Sequence, residues 1–167
     1  MFKNICCGLL ALAAAAAGSP RLHAANTSPT LTGSWRVTVM LVDCTTGAAR
    51  PPFHSLLTFG SDGTLSGTTS NGTFKPGQRT SDYGVWQRTQ ATSFHAVSEA
   101  FILFSSAAST APPAPPFARG VQRITQDIEI DPRSPDVFSS QASVEFFDEA
   151  GNVVMTGCAT ATGSRFQ

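Results

Sequence analysis

Few side chains in this sequence combine the residue type and the spacing that ligand binding or acid–base chemistry requires. Tyr83, Trp86 and Arg88 fall within one short run rich in strand-forming residues. Trp86 and Arg88 share a face of that run, because side chains alternate along a strand. An arginine stacked on an indole could bind an anionic or aromatic ligand at the entrance of a cavity. A contact on the surface of a strand is the alternative. We treat the three as candidate ligand-binding residues.

His54 and His95 are the histidines that follow the N-terminal segment, and Glu99 shares a strand face with His95. Residues i and i+4 of a strand lie about 13 Å apart, too far for a hydrogen bond, so His95 and Glu99 form no dyad by themselves. His54 would meet His95 only across a closed sheet. We include all three as candidate ligand-binding residues, with partly exposed, hydrogen-bonded histidines as the alternative. The sequence contains no nucleophile elbow and no phosphate-binding loop, and we predict no catalytic residue.

Cys44 and Cys158 are the cysteines that remain if the N-terminal segment is removed. Two cysteines of an exported domain usually pair in an oxidising compartment, so we predict a disulfide between them. Two buried free thiols are the alternative. Two cysteines and two scattered histidines are too few ligands for a zinc site, and we predict no metal and no other cofactor.

Residues 1–24 have the pattern of a secretory signal peptide. Lys3 supplies a positive charge, and the apolar run Ile5–Ala17 is shorter than the roughly 20 residues of a membrane-spanning helix. Ala24 and Ala25 are suitable residues for the cleavage site. A buried N-terminal helix and an uncleaved anchor are the alternatives. The segment predicts a secreted or periplasmic protein.

The charge balance of the remaining chain bears on its partners. Removal of residues 1–24 would leave two more acidic than basic residues. Such a chain has no electrostatic attraction to nucleic acid or anionic lipid. No later segment is long and apolar enough to span a membrane as a helix. We therefore predict neither nucleic acid nor, after cleavage, a membrane as a partner. The oligomeric state is not predicted.

The chain has the length of one domain, and its 41% apolar and 13% charged residues argue against intrinsic disorder. Residues 25–31 have no period and predict a flexible lead-in, followed by a β-barrel domain over residues 32–167. Runs rich in Val, Ile, Thr and Phe alternate with turn residues, and no long helical period occurs. The predicted strands are Trp35–Val42, Phe53–Phe59, Thr64–Thr69, Tyr83–Thr89, Ser93–Phe104, Gly120–Asp131, Val137–Asp148 and Val153–Phe166.

Eight sequential strands favour an all-β, antiparallel, up-and-down barrel. Consecutive strands joined by short turns usually lie side by side, and closing the sheet removes both of its exposed edges. Cys44 ends the first predicted strand and Cys158 lies in the last. A disulfide requires their Cα atoms to lie within about 7 Å, which is met when these strands are neighbours in a barrel. A β-sandwich is the alternative.

The motif Gly33-Ser34-Trp35 at the start of the first strand resembles the lipocalin and wider calycin pattern. The resemblance implies that Trp35 plugs the closed end of the barrel, that Arg165 from the last strand packs over it, and that a small apolar ligand occupies the barrel mouth. An allene-oxide-cyclase-like barrel also fits the strand count.

These observations lead to three functional hypotheses. The first is a secreted barrel that binds a small apolar ligand. The second is a barrel-type cyclase or isomerase, in which Tyr83, His95, Glu99 or Arg88 would supply acid–base or electrostatic help. The third is a solid-core structural or interaction protein, because an eight-stranded barrel is just wide enough to be filled by its own side chains.

Overall fold

The computed structural model of the protein describes residues 28–106 and 117–166. The predicted signal peptide and the start of the predicted lead-in lie outside the described residues, and so does the proline-rich stretch 107–116. The described residues form eight strands and contain no helix, so none of their segments spans a membrane as a helix. The strands are β1 Gly33–Val42, β2 Phe53–Phe59, β3 Thr64–Thr69, β4 Asp82–Arg88, β5 Ser93–Ile102, β6 Gly120–Ile130, β7 Val137–Asp148 and β8 Val153–Arg165.

The sheet is a closed antiparallel barrel. Each strand pairs with the next, and β1 pairs with β8, where Trp35 lies opposite Arg165 and Val42 lies opposite Cys158. The prediction of an all-β up-and-down barrel is confirmed, and the sandwich alternative is wrong. The disulfide Cys44–Cys158 is also confirmed, with its Cα atoms 5.3 Å apart. It ties the β1–β2 connection to β8, the strand that closes the barrel.

Short polar turns join the strands, and their chemistry explains where the strands end. At the β2–β3 turn, Gly63 has a φ of 85°, a conformation that glycine adopts without steric cost. The carboxylate of Asp62 accepts hydrogen bonds from the backbone amide and the hydroxyl of Thr64, at 3.1 and 2.6 Å. At the β7–β8 turn, Gly151 has a φ of 84°. The pairs Asp62-Gly63 and Gly151-Asn152, which are typical of short hairpin turns, therefore form turns in the structure.

One end of the barrel, which we call the closed end, contains the hydrophobic core. Its aromatic contacts join Trp35 to Phe138 at 4.9 Å and Phe59 to Phe138 at 6.5 Å between ring centroids. Leu31 is buried beneath these rings, and its carbonyl accepts a hydrogen bond of 2.8 Å from Trp35 Nε1. The described end of the predicted flexible lead-in thus packs against the barrel. Burial of each large apolar side chain contributes about 1.5–3 kcal/mol.

The opposite end, which we call the open end, departs from the predicted strand boundaries. β5 ends at Ile102 rather than at Phe104, and Phe104 is 40% exposed. The chain leaves the sheet there because the backbone of residues 103 and 104 bonds instead to Gln78. Leu103 donates its amide to the Gln78 carbonyl at 2.8 Å, and the Phe104 carbonyl accepts from Gln78 Nε2 at 2.9 Å. These bonds anchor the β3–β4 loop, residues 70–81, across the open end.

Candidate functional site

A cavity of about 90 Å³ lies inside the barrel between the aromatic core and the open end. Part of its lining is aliphatic and comes from β1, β7 and β8. The inward side chains of this aliphatic wall are Val37, Val39, Ala142, Val144, Ala159 and Ala161. The facing part, which we call the polar wall, comes from β4, β5, β6 and the β3–β4 loop. It consists of Arg79, Asp82, Ser98, Gln122 and Gln126. Ser55, Thr69 and Ser140 add hydroxyl groups between the two walls.

The alternation of β6 places two glutamines in the barrel interior. Gln122 and Gln126 have the same parity as Ile124 and Ile128, so all four point inward. Both glutamines are buried. The isoleucines of this strand identify its inward face, and the two glutamines share that face although neither is among the predicted ligand-binding residues. The signal was present, because a polar residue within an otherwise apolar inward stripe must face a partner, water or a ligand.

A buried ion pair joins the β3–β4 loop to the polar wall. The side chains of Arg79 and Asp82 are only 5% and 6% exposed. Arg79 Nη2 donates to Asp82 Oδ1, its Nε donates to Gln122 Oε1, and its Nη1 donates to the Thr80 carbonyl at 3.1 Å. Because the two charges compensate each other, this part of the interior carries no net charge.

Ser140 is the polar side chain of this interior that lacks a partner. Its Oγ is buried and makes no hydrogen bond to any described residue. Ser140 lies on β7, opposite Ile128 of β6 and Ala161 of β8, where the polar and aliphatic walls meet. An unpaired buried hydroxyl is uncommon in a folded protein and costs about 1–3 kcal/mol of desolvation.

Three phenylalanines cover the entrance to the cavity at the open end. Phe74 of the β3–β4 loop stacks on Phe117 with 4.4 Å between ring centroids, and Phe117 lies 5.1 Å from Phe146. The guanidinium carbon of Arg79 is 5.7 Å from the Phe74 centroid. Phe74 also lines the cavity. Phe74 lies in the β3–β4 loop and Phe117 precedes β6, so Phe146 is the one of the three that belongs to a strand.

Four of the six predicted ligand-binding residues lie on the outer wall. Tyr83 is 71% exposed. Glu99 accepts from Arg123 at 2.7 and 2.8 Å, and the Nδ1 of His95 lies 2.8 Å from an Asp127 carboxylate oxygen. The fourth, His54, is on the outside of β2, so the two histidines do not meet across the interior. The Nδ1 of His54 is 3.4 Å from the hydroxyl of Thr38.

Trp86 and Arg88 share a face, as predicted, but they lie at the closed end and not at the entrance of a cavity. Trp86 packs on Phe59 and Phe94, and its Nε1 donates to the Gly60 carbonyl at 2.9 Å. The guanidinium carbon of Arg88 lies 4.6 Å from the Phe94 centroid, and its Nη2 donates to the Pro29 carbonyl at 2.6 Å. The physical reason is strand direction: β4 runs from the open end toward the closed end. None of the six predicted residues lines the cavity.

Hydrogen bonding lowers the pKa of four carboxyl groups, all outside the cavity. The pKa of Glu129 is lowered chiefly by the hydroxyls of Ser93 and Thr92 on the outer wall. Asp43, Asp62 and Asp148 lie in turns, where donors of the same turn lower their pKa values. These groups therefore stabilise turns and strand pairs and take no part in the chemistry of the interior. No group of three metal-binding side chains occurs within residues 28–106 and 117–166.

Comparison with known proteins supports the barrel. The solved structure of EF1p2_mFAP2b bound to DFHBI is similar in fold, with a TM-score of 0.51. The alignment covers 84% of this chain and 98% of that chain at 17% sequence identity. At this identity the likeness shows the fold alone, and membership of the lipocalin or calycin family stays a prediction. No protein-family model matches the chain, and no curated protein matches its sequence.

Proposed function

We propose that the protein binds a small ligand inside the barrel. The observation that carries the proposal is a cavity of about 90 Å³ whose lining includes Ser140, a residue with an unpartnered, buried hydroxyl. A barrel whose only role is structural gains nothing from a buried hydroxyl beside an empty space, because both the missing contacts and the missing hydrogen bond reduce stability. A ligand in this cavity would supply both.

The size of the cavity limits the ligand. Pockets for drug-sized ligands enclose roughly 300–1,000 Å³, whereas an apolar cavity of about 150 Å³ is known to hold benzene. The 90 Å³ cavity is smaller than that, so it accepts a one-ring molecule only if Phe74 moves aside. The similar barrel of EF1p2_mFAP2b binds DFHBI, which supports the capacity of such a fold to hold a small molecule.

The binding hypothesis accounts for the geometry better than the two other hypotheses do. The residues considered for a cyclase or isomerase, Tyr83, His95, Glu99 and Arg88, are divided between the outer wall and the closed end. They share no cavity in which they could act on one substrate. A completely filled interior is also at variance with the cavity between the polar and aliphatic walls.

We also propose that the protein acts outside the cytoplasm, in the periplasm or after secretion. The signal-like sequence of residues 1–24 motivates this proposal. The Cys44–Cys158 disulfide supports it, because structural disulfides persist mainly in oxidising compartments.

Methyl-resolved NMR tests ligand binding directly. The protein would be titrated separately with phenol, toluene and benzoate, three probes that share one aromatic ring. We expect at least one probe to shift the methyl signals of Val37, Val39 and Val144, which line the cavity. The methyl signals of Val85 and Val153, which are exposed on the outer wall, serve as internal controls and should not move. Cavity signals that stay unchanged with all three probes would overturn the proposal.

A further inference from the structure

We infer that the ligand of this cavity is an uncharged, amphipathic molecule. It presents a hydroxyl or N–H group to Ser140, which lies beside the polar wall. The inference rests on the proposed function and specifies the chemical class of its ligand. Three features of the interior carry it: its compensated charges, the unpaired hydroxyl of Ser140 and the aliphatic wall.

The first feature is charge. Arg79 and Asp82 are the charged residues that line the cavity, and they bond to each other. The other polar lining groups are hydroxyls and amides, which are neutral. An ionised ligand would lose its hydration without finding an uncommitted counter-charge, and such a transfer is strongly unfavourable. The cavity therefore selects against carboxylates, phosphates and ammonium groups.

The second feature is hydrogen-bonding capacity. Ser140 Oγ has no partner, and a hydroxyl both donates and accepts. Gln122 already uses its Oε1 to accept from Arg79. Gln126 of β6 pairs with Ala142 of β7. It is the inward-facing residue next to Ile128, which lies opposite Ser140 in the sheet. A ligand hydroxyl also both donates and accepts. It therefore suits the Ser140 hydroxyl better than a group that can only donate or only accept a hydrogen bond.

The third feature is the arrangement of the apolar surface. Val39 of β1 and Ala159 of β8 lie on the side of the barrel away from β4, β5 and β6, and Val144 lies beside the polar wall on β7. The aromatic core lies at the closed end. A molecule that fills the cavity therefore contacts carbon on one side and hydrogen-bonding groups on the other. Burial of the carbon side supplies affinity, while the single polar group fixes orientation.

The probe titration separates this inference from the proposed function. We expect phenol to bind more tightly than toluene, by about fivefold to tenfold for one added hydrogen bond to a buried group. Benzoate should bind still more weakly than toluene, because its charge must be desolvated. If toluene or benzoate binds at least as tightly as phenol, the inferred ligand class is wrong although the binding function stands. If no probe shifts the cavity signals, the proposed function itself is wrong.

Ser140→Ala provides the residue-specific test. The variant should reduce phenol affinity about fivefold to tenfold and leave toluene affinity unchanged. Its melting temperature without ligand should stay the same or rise, because the substitution removes an unpaired buried hydroxyl. Ser139→Ala is the matched control, since Ser139 is the exposed neighbour on the same strand. Equal phenol affinities in the Ser140→Ala and Ser139→Ala variants would overturn the assignment of Ser140.

Discussion

The guanidinium carbon of Arg165 lies 4.2 Å from the centroid of the Trp35 ring system, and the two residues are paired across β1 and β8. Arg165 also donates through Nη2 to the Thr30 carbonyl at 2.6 Å and through Nε to the Asp136 carboxylate at 2.9 Å. One side chain thus connects the closing strand, the segment before β1 and the turn between β6 and β7. These contacts help to close this end of the barrel, so we expect the proposed ligand to enter from the open end.

Arg165→Ala should destabilise the protein by about 2–3 kcal/mol, because the stacking on Trp35 and the charge-assisted hydrogen bonds are lost together. Arg165→Lys should recover only part of this loss, since lysine lacks the planar fork of donors. Urea denaturation measures the effect. Arg133→Ala is the control, because Arg133 is an exposed turn residue. Equal losses for Arg165→Ala and Arg133→Ala would contradict the structural role of Arg165.

Asp82→Ala should cost about 3–5 kcal/mol, because it leaves the buried Arg79 charge without its partner. The double variant Arg79→Met/Asp82→Ala should lose less than Asp82→Ala alone, since no unpaired charge remains. The control is Glu149→Ala, which breaks the exposed pair with Arg119 and should cost no more than about 1 kcal/mol. Unfolding free energies that simply add in the double variant would show that Arg79 and Asp82 do not interact.

Phe74→Ala should open the entrance to the cavity and speed the exchange of phenol, as seen in NMR line shapes. The lost stacking on Phe117 should cost about 1–2 kcal/mol of stability. Phe101→Ala is the matched control, because Phe101 is exposed on the outer wall and lies outside the cavity lining. Unaltered exchange rates in the Phe74→Ala variant would place the entrance elsewhere.

The double variant Cys44→Ser/Cys158→Ser should be less stable by up to about 4–5 kcal/mol, the loop-closure entropy expected for residues 114 positions apart. Reduction of the unmodified protein should lower its stability by the same amount. Reductant should leave the double variant unchanged, which controls for other effects of the reagent. A melting temperature that does not respond to either treatment would show that the disulfide does not stabilise the fold.

Stability should fall on acidification partly because of Asp148. The backbone amide of Asn152 is the largest cause that lowers the pKa of Asp148, followed by the Asn152 side chain. Because the folded pKa is below the unfolded one, the carboxylate stabilises the turn at pH values above its unfolded pKa, and this contribution disappears as the pH falls through the folded pKa. When the free energy of unfolding is measured against pH, Asp148→Asn should therefore show a smaller decrease on the acid side. Glu149→Gln, one residue along, is the control and should show the same decrease as the unmodified protein.

The strands followed from the sequence because alternation is a local property. Alternation alone predicts that Phe94 and Ala96 of β5 share one face, and that Phe138 of β7 lies on its strand's apolar face, and the structure buries all three. The candidate site did not follow in the same way. Whether Trp86 lies at the closed or the open end depends on strand direction and on what covers each end, and neither can be read from the strand itself.

The sequence by itself determined the number of strands, their inward faces, the turn residues and the cysteine pair, because each depends on residue type and local spacing. Only the tertiary structure decided that Ser140 of β7, Gln126 of β6 and Asp82 of β4 face one cavity, since closure and register bring distant strands together. The register across β5 and β6 likewise pairs His95 with Asp127, not with His54. The grouping of residues around the cavity is a property of this long-range pairing, whereas local spacing shows only that Gln122 and Gln126 point inward.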